Sequence, residues 1–428
     1  MKKKKTSKTA PVNTYDVIVC GGGSAGLGAA LAVAQQGLST LLIEQFNFLG
    51  GTATASLNFG FVQTIGMNGP AFKKLYQRMQ ELGGVRKEYF DPETYKMAAQ
   101  TMMLDAGVKL LFHTFMESAH VENGRIKGVY VVNKGGFQFL GAKMVIDATG
   151  DADVAFSAGV ECKKGREHDG RMQALTLRPR IGGVADKGAK VDWKRINELL
   201  EEERKKGTVR IPPYVVGYLD AGGVGVRHER TFNLDMAAEI DATDPWQLTH
   251  AEIEARKRVW ELLSFMRKNV PGWENAYLID TGVLIGIRET RRIVGKYVLS
   301  RDDVMKGGKF KDGIARCSFW VDMHDPEIFQ YPGGLGAYIK AVRLPEGEWY
   351  EIPYACLVPE KVEGLLVCGR CISSDREANG SVRIMPTCMN TGTAAGIGAA
   401  MALLGGVEPS LVNGVEVRKR VLEAGGDL

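Results

Sequence analysis

The chain has 428 residues, of which 45% are hydrophobic and 25% are charged, a composition typical of a folded globular protein with about two or three domains. Its formal charge of +5 is located in Lys2–Lys5 and Lys8, because the remaining basic and acidic residues balance. This distribution excludes the broad basic surface of a nucleic-acid-binding protein. The sequence contains no run of about 18 apolar residues, so no membrane span is predicted.

The N-terminal tail, residues 1–14, is predicted to be disordered. The seven cysteines are an odd number with one close pair, Cys368 and Cys371, which is not the pattern of a disulfide framework. A reducing, cytoplasmic location is therefore expected. The six histidines show no zinc-type spacing with the cysteines, and we predict no metal site.

Residues 15–44 have the pattern of a βαβ unit. Tyr15–Cys20 is an apolar run of strand length, a helix is predicted over 25–36, and Thr40–Ile43 predicts a second strand. Gly37 ends the predicted helix, because glycine readily adopts the left-handed conformation that closes helices.

The turn between the first strand and the helix contains Gly21-x-Gly23-x-x-Gly26. The first glycine permits the tight turn, the second lets the backbone approach a pyrophosphate, and the third lets the helix pack on the strand. Glu44 ends the second strand, where a carboxylate accepts hydrogen bonds from ribose hydroxyls. The unit therefore predicts a dinucleotide site, for either NAD or FAD.

Further elements follow along the chain. A helix is predicted from Pro92 to about residue 106, with Asp91 as its N-cap. Asn123-Gly124 predicts a β-hairpin. Residues 144–151, MVIDATGD, predict a buried strand that ends in a glycine turn.

The middle of the chain, about 160 to 345, differs from the first part. It holds two charged helical segments, 193–206 and 249–268, the second of them capped by Thr249, and it has no nucleotide motif. The final 75 or so residues return to the first pattern, with the strand LLVCG and the small-residue helix TGTAAGIGAAMALL.

These patterns predict an α/β fold. A Rossmann-like domain with a parallel sheet and a β-meander is expected from residues 15–160 together with 346–428, and residues 161–345 are expected to be an inserted α+β substrate or cap domain. The C-terminal return to the nucleotide domain favours FAD over NAD. No second GxGxxG provides NADH with its own site.

Several motifs carry a resemblance to a known family. They are GGGSAG, IEQ, LGGTAT, IDATGDADVA, GREHDG, IGIRETRRIVGKY, IPYACLVP, LLVCGRCIS and MPTCMNTGTAAG, and they span nearly the whole chain. With them the sequence resembles the glutathione-reductase-like FAD superfamily and, more closely, FAD-dependent oxidoreductases related to the flavoprotein subunit of heterodisulfide reductase. That subunit's additional cysteine clusters are missing here, which argues against electron relay through protein-bound iron–sulfur clusters.

The resemblance implies FAD as the cofactor and assigns roles to individual residues. The first glycine turn would bind the pyrophosphate, Glu44 the ribose and the backbone of Met116 the adenine. A C-terminal helix, capped by Asn390 or Thr391, would begin at the flavin pyrimidine edge and stabilise anionic reduced flavin. The implied cofactor-binding residues are Gly21, Gly23, Ser24, Gly26, Glu44, Gly51, Thr52, Met116, Gly150, Gly369, Arg370, Gly392, Thr393 and Ala394.

Arginines are the first candidates for substrate binding. If their segment is helical, Arg288 and Arg291 share one face, with Arg292 beside it, and two converging guanidinium groups clamp a carboxylate or phosphate. An ion-pair patch that uses Glu289 is the alternative. Arg383, in SVRIMP, is a further candidate.

Two other side chains are candidates for catalysis. His228 follows the glycine-rich AGGVGV and is a possible acid or base, with a structural histidine as the alternative. Cys388, in MPTCMN, is a candidate group beside the flavin, with simple packing as the alternative.

We therefore expect an enzyme that transfers a hydride between a small, anionic organic substrate and the flavin, with an unidentified electron donor or acceptor as a second partner. One alternative is a thiol–disulfide reductase that uses Cys368 and Cys371. That pair begins in a strand, where neighbouring side chains alternate, and not at a helix N-terminus, which stabilises thiolates. A second alternative is a non-catalytic FAD-binding scaffold or sensor.

Overall fold

The computed structural model describes residues 14–62, 68–86, 88–185, 192–210, 215–216, 229–235, 240–325, 327–328, 332 and 334–428. Its strands are β1 (Thr14–Cys20), β2 (Thr40–Ile43), β3 (Val85–Arg86), β4 (Tyr89–Phe90), β5 (Lys109–Leu111), β6 (Phe115–Glu122), β7 (Arg125–Asn133), β8 (Gly136–Asp147), β9 (Cys162–Lys164), β10 (Thr176–Leu177), β11 (Pro179–Gly182), β12 (Val215–Val216), β13 (Asn233–Asp235), β14 (Tyr277–Thr281), β15 (Arg291–Ile293), β16 (Gly313–Cys317), β17 (Tyr350–Pro353) and β18 (Leu365–Val367).

The helices lie between these strands and after them. They are α1 (Ser24–Ala34), α2 (Pro70–Glu81), α3 (Pro92–Asp105), α4 (Asp153–Ser157), α5 (Trp193–Lys205), α6 (Pro245–Asn269), α7 (Arg301–Met305), α8 (Gly334–Ala341), α9 (Arg376–Val382), α10 (Met385–Gly405) and α11 (Gly414–Glu423). Among the described residues, no helix combines the length and the apolar character needed to cross a bilayer.

The main sheet has the strand order β5-β2-β1-β8-β7-β6, and β18 also pairs with β8. The pairs β1–β2, β2–β5, β1–β8 and β8–β18 are parallel, whereas β6, β7 and β8 form an antiparallel meander. The predicted α/β fold with a parallel sheet and a β-meander is therefore confirmed. Strand β18 brings the end of the chain back to the strand that carries IDATGD.

Local signals account for several of these elements. Asn123 and Gly124 both have positive φ angles, which is the conformation of the tight hairpin turn predicted there. Asp91 accepts a hydrogen bond from the Thr94 amide and caps α3, as predicted. The predicted Thr249 cap is wrong, because α6 begins four residues earlier with Asp244 as its N-cap.

The central parallel strands of the main sheet are buried on both faces. Val17 and Val19 of β1 belong to the core that includes α1 and α10, whereas Ile18 and Cys20 belong to the core on the other face. A third cluster of buried apolar side chains is drawn from residues 175–287 and centres on α6. Residues 299–344 pack instead into the first core, so the predicted inserted segment contributes to two cores.

Candidate functional site

The candidate site begins where parallel strands of the main sheet end. Strands β1, β8 and β18 have the same direction, so their carboxyl ends meet at one edge of the sheet, where ligands bind in open α/β folds. A glycine turn follows each of these ends. We call the combined feature the glycine cradle, formed by Gly21–Gly23, Gly50–Gly51, Gly150 and Gly369.

The GxGxxG turn has the steric features expected of it. Gly21 has a φ of +102°, and a Cβ there would lie 2.5 Å from the Ala148 carbonyl oxygen. A Cβ on Gly26 would lie 1.8 Å from the Gly21 carbonyl oxygen, so α1 approaches the turn as closely as glycine allows. Ser24 is the first residue of α1 and is buried, and the helix has no side-chain cap at its N-terminus.

A second glycine turn lies directly against the first. Gly23 forms an isolated parallel bridge with Gly50, and the Gly50 amide donates to the Gly22 carbonyl at 2.8 Å. Gly51 has a φ of +55°, and a Cβ there would lie 2.9 Å from the Cα of Gly23. Thr52 is half-buried in the short 3-10 turn that continues from Gly51.

Glu44 fixes the first turn to the end of β2. Its Oε2 accepts a hydrogen bond from the Gly22 amide at 2.8 Å, and its Oε1 accepts one from the Phe46 amide at 2.9 Å. Burial raises the pKa of the Glu44 carboxyl, while these amides and that of Gln45 lower it. Each oxygen keeps a lone pair that a ribose hydroxyl can use.

Arg370 connects the remaining parts of the cradle. Its Nη2 donates to Asp151 Oδ1 at 2.6 Å, beside Gly150, whose φ is +83°. The neighbouring Gly369 has a φ of +84° and donates its amide to Thr391 Oγ1 at 3.1 Å. Met116 lies in β6 opposite Val131 and belongs to the same buried cluster as Cys20 and Ile43, and its backbone role stays a prediction.

Backbone glycines therefore line the space at the N-terminus of α1. A Cβ at Gly21 would collide with the backbone of Ala148, and a Cβ at Gly51 would collide with the backbone of Gly23. Helix N-termini with bare glycine backbone accommodate pyrophosphate, because their amides point at the anion. The residues present fit the phosphate and ribose portions of a dinucleotide such as FAD.

The predicted start of the C-terminal helix is wrong. Helix α10 begins at Met385 with Ile384 as its N-cap, so Gly392, Thr393 and Ala394 lie inside the helix. These residues serve helix packing: a Cβ on Gly392 would lie 2.0 Å from the Ala25 carbonyl oxygen of α1. Small residues are needed because α1 and α10 cross with their backbones almost in contact.

Arg288 and Arg291 do not share a helical face, because residues 291–293 form strand β15. Arg288 Nη1 donates to the Ala174 carbonyl oxygen. Arg291 pairs with Asp153 at 2.9 Å and covers the Phe156 ring at 4.2 Å, so it contacts different residues from Arg288. The buried Arg292 donates to the carbonyl oxygens of Ser374 and Gly165.

The structure does bring Arg288 and Arg383 together, around a carboxylate that the sequence analysis missed. Arg383 Nη2 donates to Asp322 Oδ2 at 2.9 Å, and His324 Nε2 lies 3.4 Å from the same oxygen. Burial by itself would raise the pKa of the Asp322 carboxyl, but His324, Arg383 and Arg288 lower it far below its usual value. The Asp-x-His spacing in WVDMHDPE was the available signal. We call this set, with Arg370, the charged cluster.

The charged cluster lies beside the glycine cradle, because Arg370 donates through Nη1 to the carbonyl oxygen of Ile287, the residue before Arg288, and through Nη2 to Asp151. Burial lowers the pKa of Arg383, and the positive charges of Arg288 and Arg370 lower it further, against the opposing effect of Asp322 and Glu289. Cys388 lies in the same region, because its Sγ donates to the carbonyl oxygen of Val382, the residue before Arg383, at 3.8 Å. Burial raises the pKa of its thiol to about 12, against the influence of Arg370 and Arg383. His228 lies outside the described residues.

Buried ion pairs hold the charged cluster in place. Both terminal nitrogens of Arg376 donate to the Asp325 carboxylate, each at 2.7 Å, and its Nε lies 3.0 Å from Glu289. Gln173 donates to Glu289 at 2.9 Å and accepts a hydrogen bond from the His324 amide at 3.2 Å. These contacts join chain segments that are far apart in the sequence.

The pair Cys368 and Cys371 is present as two free, buried thiols. Their sulfurs contact backbone carbonyls: Cys368 Sγ lies 3.7 Å from the Asp147 oxygen and Cys371 Sγ lies 3.6 Å from the Cys368 oxygen. Burial, with the nearby Asp147 charge, raises the pKa of both thiols well above their usual value. The two side chains belong to cores on opposite faces of the sheet.

Comparison with known proteins places this geometry among flavoproteins. The profile of a family described as FAD dependent oxidoreductase matches residues 16–421. Thiamine thiazole synthase of Methanococcus aeolicus is 32% identical over 152 residues, covering 33% of this chain and 57% of that protein. The enzyme of Aeropyrum pernix is 35% identical over 156 residues, covering 32% and 54%. The chain thus matches about half the length of these curated relatives.

Among solved structures, a geranylgeranyl bacteriochlorophyll reductase-like protein from Thermoplasma acidophilum is similar over 97% of this chain and 85% of its own. The two are 14% identical, with a TM-score of 0.49.

Proposed function

The chain belongs to the family of FAD-dependent oxidoreductases, and from this membership, which makes it an enzyme with FAD as its cofactor, we propose that it transfers a hydride between FAD and a small anionic organic substrate. The observation that carries the proposal is the position of the charged cluster beside the glycine cradle, with Arg370 joining the two. We also propose the wider kinship with glutathione-reductase-like proteins and the heterodisulfide reductase flavoprotein, on the motifs alone.

The chain's own residues would hold FAD through backbone and carboxylate. The first two glycine turns and the N-terminus of α1 receive the pyrophosphate, and Glu44 accepts the ribose hydroxyls. Gly150, Gly369 and Arg370 continue the site beyond the phosphates. When bound, FAD supplies a centre that accepts or donates two electrons as a hydride.

A concentration of guanidinium groups supports an anionic substrate. Arg370 pairs with Asp151 and Arg383 pairs with Asp322, and Arg288 lies in the same cluster. Guanidinium groups suit a carboxylate or phosphate, because each presents several charge-assisted hydrogen-bond donors in one plane. We propose that residues 161–345 cap the flavin, since this segment supplies both Arg288 and Asp322.

An anaerobic substrate screen tests the proposal. FAD-loaded protein is mixed with 2-hydroxy acids, each beside its neutral methyl ester, and flavin bleaching is followed by absorbance. We expect acids to reduce the flavin and esters to fail. Arg288→Gln should raise the half-saturating concentration about 10- to 100-fold, the worth of a hydrogen bond to a charged group.

Arg256→Gln is the matched control, because Arg256 is exposed on α6 and pairs only with Glu252 among the contacts described for it. Equal reduction by acids and esters, with no effect of Arg288→Gln, would contradict the anionic substrate. Protein that takes up no FAD would contradict the whole proposal. FAD that no small molecule reduces would instead favour a scaffold or sensor.

A further inference from the structure

Helix α6 carries a row of large apolar side chains on its exposed side. Trp246 is 83% exposed, Trp260 is 54% exposed, and Ile253 between them is 47% exposed. Residues seven apart return to nearly the same side of a helix, so these three side chains form one line about 21 Å long, which we call the apolar row. Large apolar side chains are mostly buried in folded proteins, and a contiguous exposed set of them marks a surface for interaction.

The apolar row takes no part in the core that α6 builds. Among the described residues, the cluster of buried apolar side chains centred on this helix includes none of the three. The residues that α6 does bury lie on its opposite side, and they are Ala251, Ala255, Val259, Leu262, Leu263, Phe265 and Met266. A truncation within the row should therefore leave the fold and the bound FAD unchanged.

The charged side chains next to the apolar row are basic. At 3.6 residues per turn, Arg256 and Arg267 lie along one flank of the row, and Lys257 and Lys268 lie along the other. All four are exposed, and Arg267 is held in place by a hydrogen bond from its Nε to the Ala276 carbonyl oxygen. Arg256 and Lys257 pair with glutamates of the same helix, but exposed pairs of this kind are weak, so both cations are available to another anion.

The acidic side chains of α6 lie further round the helix. Within α6, all of which the structure describes, the three glutamates are partly buried and none is exposed. Glu252 accepts a hydrogen bond from the Ile285 amide and Glu261 accepts one from the Arg210 amide, each at 2.7 Å, so both carboxylates are turned toward the protein. The exposed side of α6 therefore offers apolar side chains flanked by positive charge.

We propose that α6 binds the surface of an anionic lipid bilayer, with the apolar row inserted between the headgroups. Indole rings prefer this depth, because they are apolar but carry an N–H that stays hydrated. The basic flanks meet the lipid phosphates, as in other amphipathic helices that lie on membranes. Lys2–Lys5 and Lys8 fall outside the described residues, but they add five positive charges to the same chain, and firm anchoring takes both an inserted apolar group and a basic segment.

A second copy of this chain is a poorer partner for this side of α6. In a symmetric dimer the same patch of both molecules comes together, so the basic residues beside the row would face basic residues of the second copy. Like charges at that range repel each other, whereas lipid phosphates neutralise them.

Co-sedimentation of FAD-loaded protein with sucrose-filled vesicles tests the proposal. Vesicles of phosphatidylglycerol and phosphatidylcholine in equal parts are compared with vesicles of phosphatidylcholine alone. We expect binding to the mixed vesicles that weakens with added salt, because salt screens surface charge. Trp246→Ala should weaken this binding about tenfold or more, the effect of losing one inserted apolar side chain, and Lys257→Gln should weaken it about fivefold.

The matched controls lie on other elements. Leu404→Ala removes a 67%-exposed apolar side chain from α10, and Lys306→Gln removes an exposed lysine from the end of α7. Both should bind the mixed vesicles as the wild type does, and all four variants should keep their FAD. Trp246→Phe gives a second measurement, because lipids brominated in their acyl chains should quench the tryptophan fluorescence of the wild type more strongly than that of this variant.

Absence of binding to the mixed vesicles, equal binding by Trp246→Ala and Leu404→Ala, or quenching that Trp246→Phe leaves unchanged would overturn the proposal. A dimer in analytical ultracentrifugation that Trp246→Ala dissociates would assign the apolar row to a second copy instead. Poly-L-glutamate that binds as tightly as the mixed vesicles would assign it to an acidic protein.

Discussion

The glycine cradle and the charged cluster lie side by side, yet they are built in different ways. The cradle is made of backbone. Three of its turns follow the ends of β1, β8 and β18, and the turn at Gly50 contacts the first of them through main-chain atoms. The cluster is made of side chains from segments near residues 288, 322, 370 and 383. A site made of backbone depends on which positions lack a Cβ, whereas a site made of side chains depends on the whole fold.

Gly26→Ala should break the cradle and produce the largest effect. The new Cβ would meet the Gly21 carbonyl oxygen at 1.8 Å, between two backbone segments that the sheet holds in place. We expect a loss of more than about 3 kcal/mol in the free energy of unfolding, the upper range of overpacking, and no bound FAD. Urea unfolding and the absorbance of the purified protein measure both quantities.

Gly37→Ala is the control, from the turn that follows the same helix. Gly37 has a positive φ of +74°, but a Cβ there meets no atom within 4 Å. Its cost is backbone strain alone, about 1 to 2 kcal/mol, and FAD should stay bound. If the two variants lost the same free energy of unfolding and bound FAD equally, the close approach of α1 to the Gly21 carbonyl would not explain why position 26 is a glycine.

This difference in construction explains what the sequence could predict. Gly21, Gly26 and Glu44 lie within one βαβ unit, so their spacing alone identifies the turn and the strand end beside it. The prediction that a helix begins at Gly392 failed for a physical reason. A run of small residues suits either a helix that begins near a ligand or two helices in close contact, and Gly392 serves the second purpose.

The charged cluster was only partly predictable. Arg288 and Arg383 were chosen for their chemistry, but the spacing of Arg288 and Arg291 suggested a shared helical face that does not exist. Asp322 and His324 were missed, because nothing in their own segment indicates that Arg383 will donate to the carboxylate from 61 residues away. Contacts at that separation are set by the packing of whole elements.

Arg376→Met should break the cluster while it leaves the cradle intact. The substitution removes the partner of two carboxylates, the 13%-exposed Asp325 and the fully buried Glu289. We expect a loss of about 3 kcal/mol in the free energy of unfolding, the usual cost of an uncompensated buried charge, with FAD still bound. Denaturant unfolding and the flavin spectrum measure the two effects separately.

Lys306→Met is its control, because Lys306 and Asp302 form an exposed pair and such pairs contribute about 1 kcal/mol or less. Simultaneous loss of FAD in Arg376→Met would mean that the cradle depends on the cluster and that the two regions are not separate. Equal stability of the two variants would mean that the Arg376 network does not support the cluster.

The smallest effect is expected at Cys371, which lies near both regions but takes part in neither. Its thiol donates to the Cys368 carbonyl oxygen, and burial raises its pKa well above the usual value, so little thiolate is available for disulfide exchange. Anaerobic titration should consume a single two-electron equivalent per flavin in the wild type and the same amount in Cys371→Ser. A second equivalent that disappears in Cys371→Ser would restore the thiol–disulfide alternative. Electrons from the flavin would then reduce a disulfide between Cys368 and Cys371 at the end of β18, and would not go to a substrate in the charged cluster.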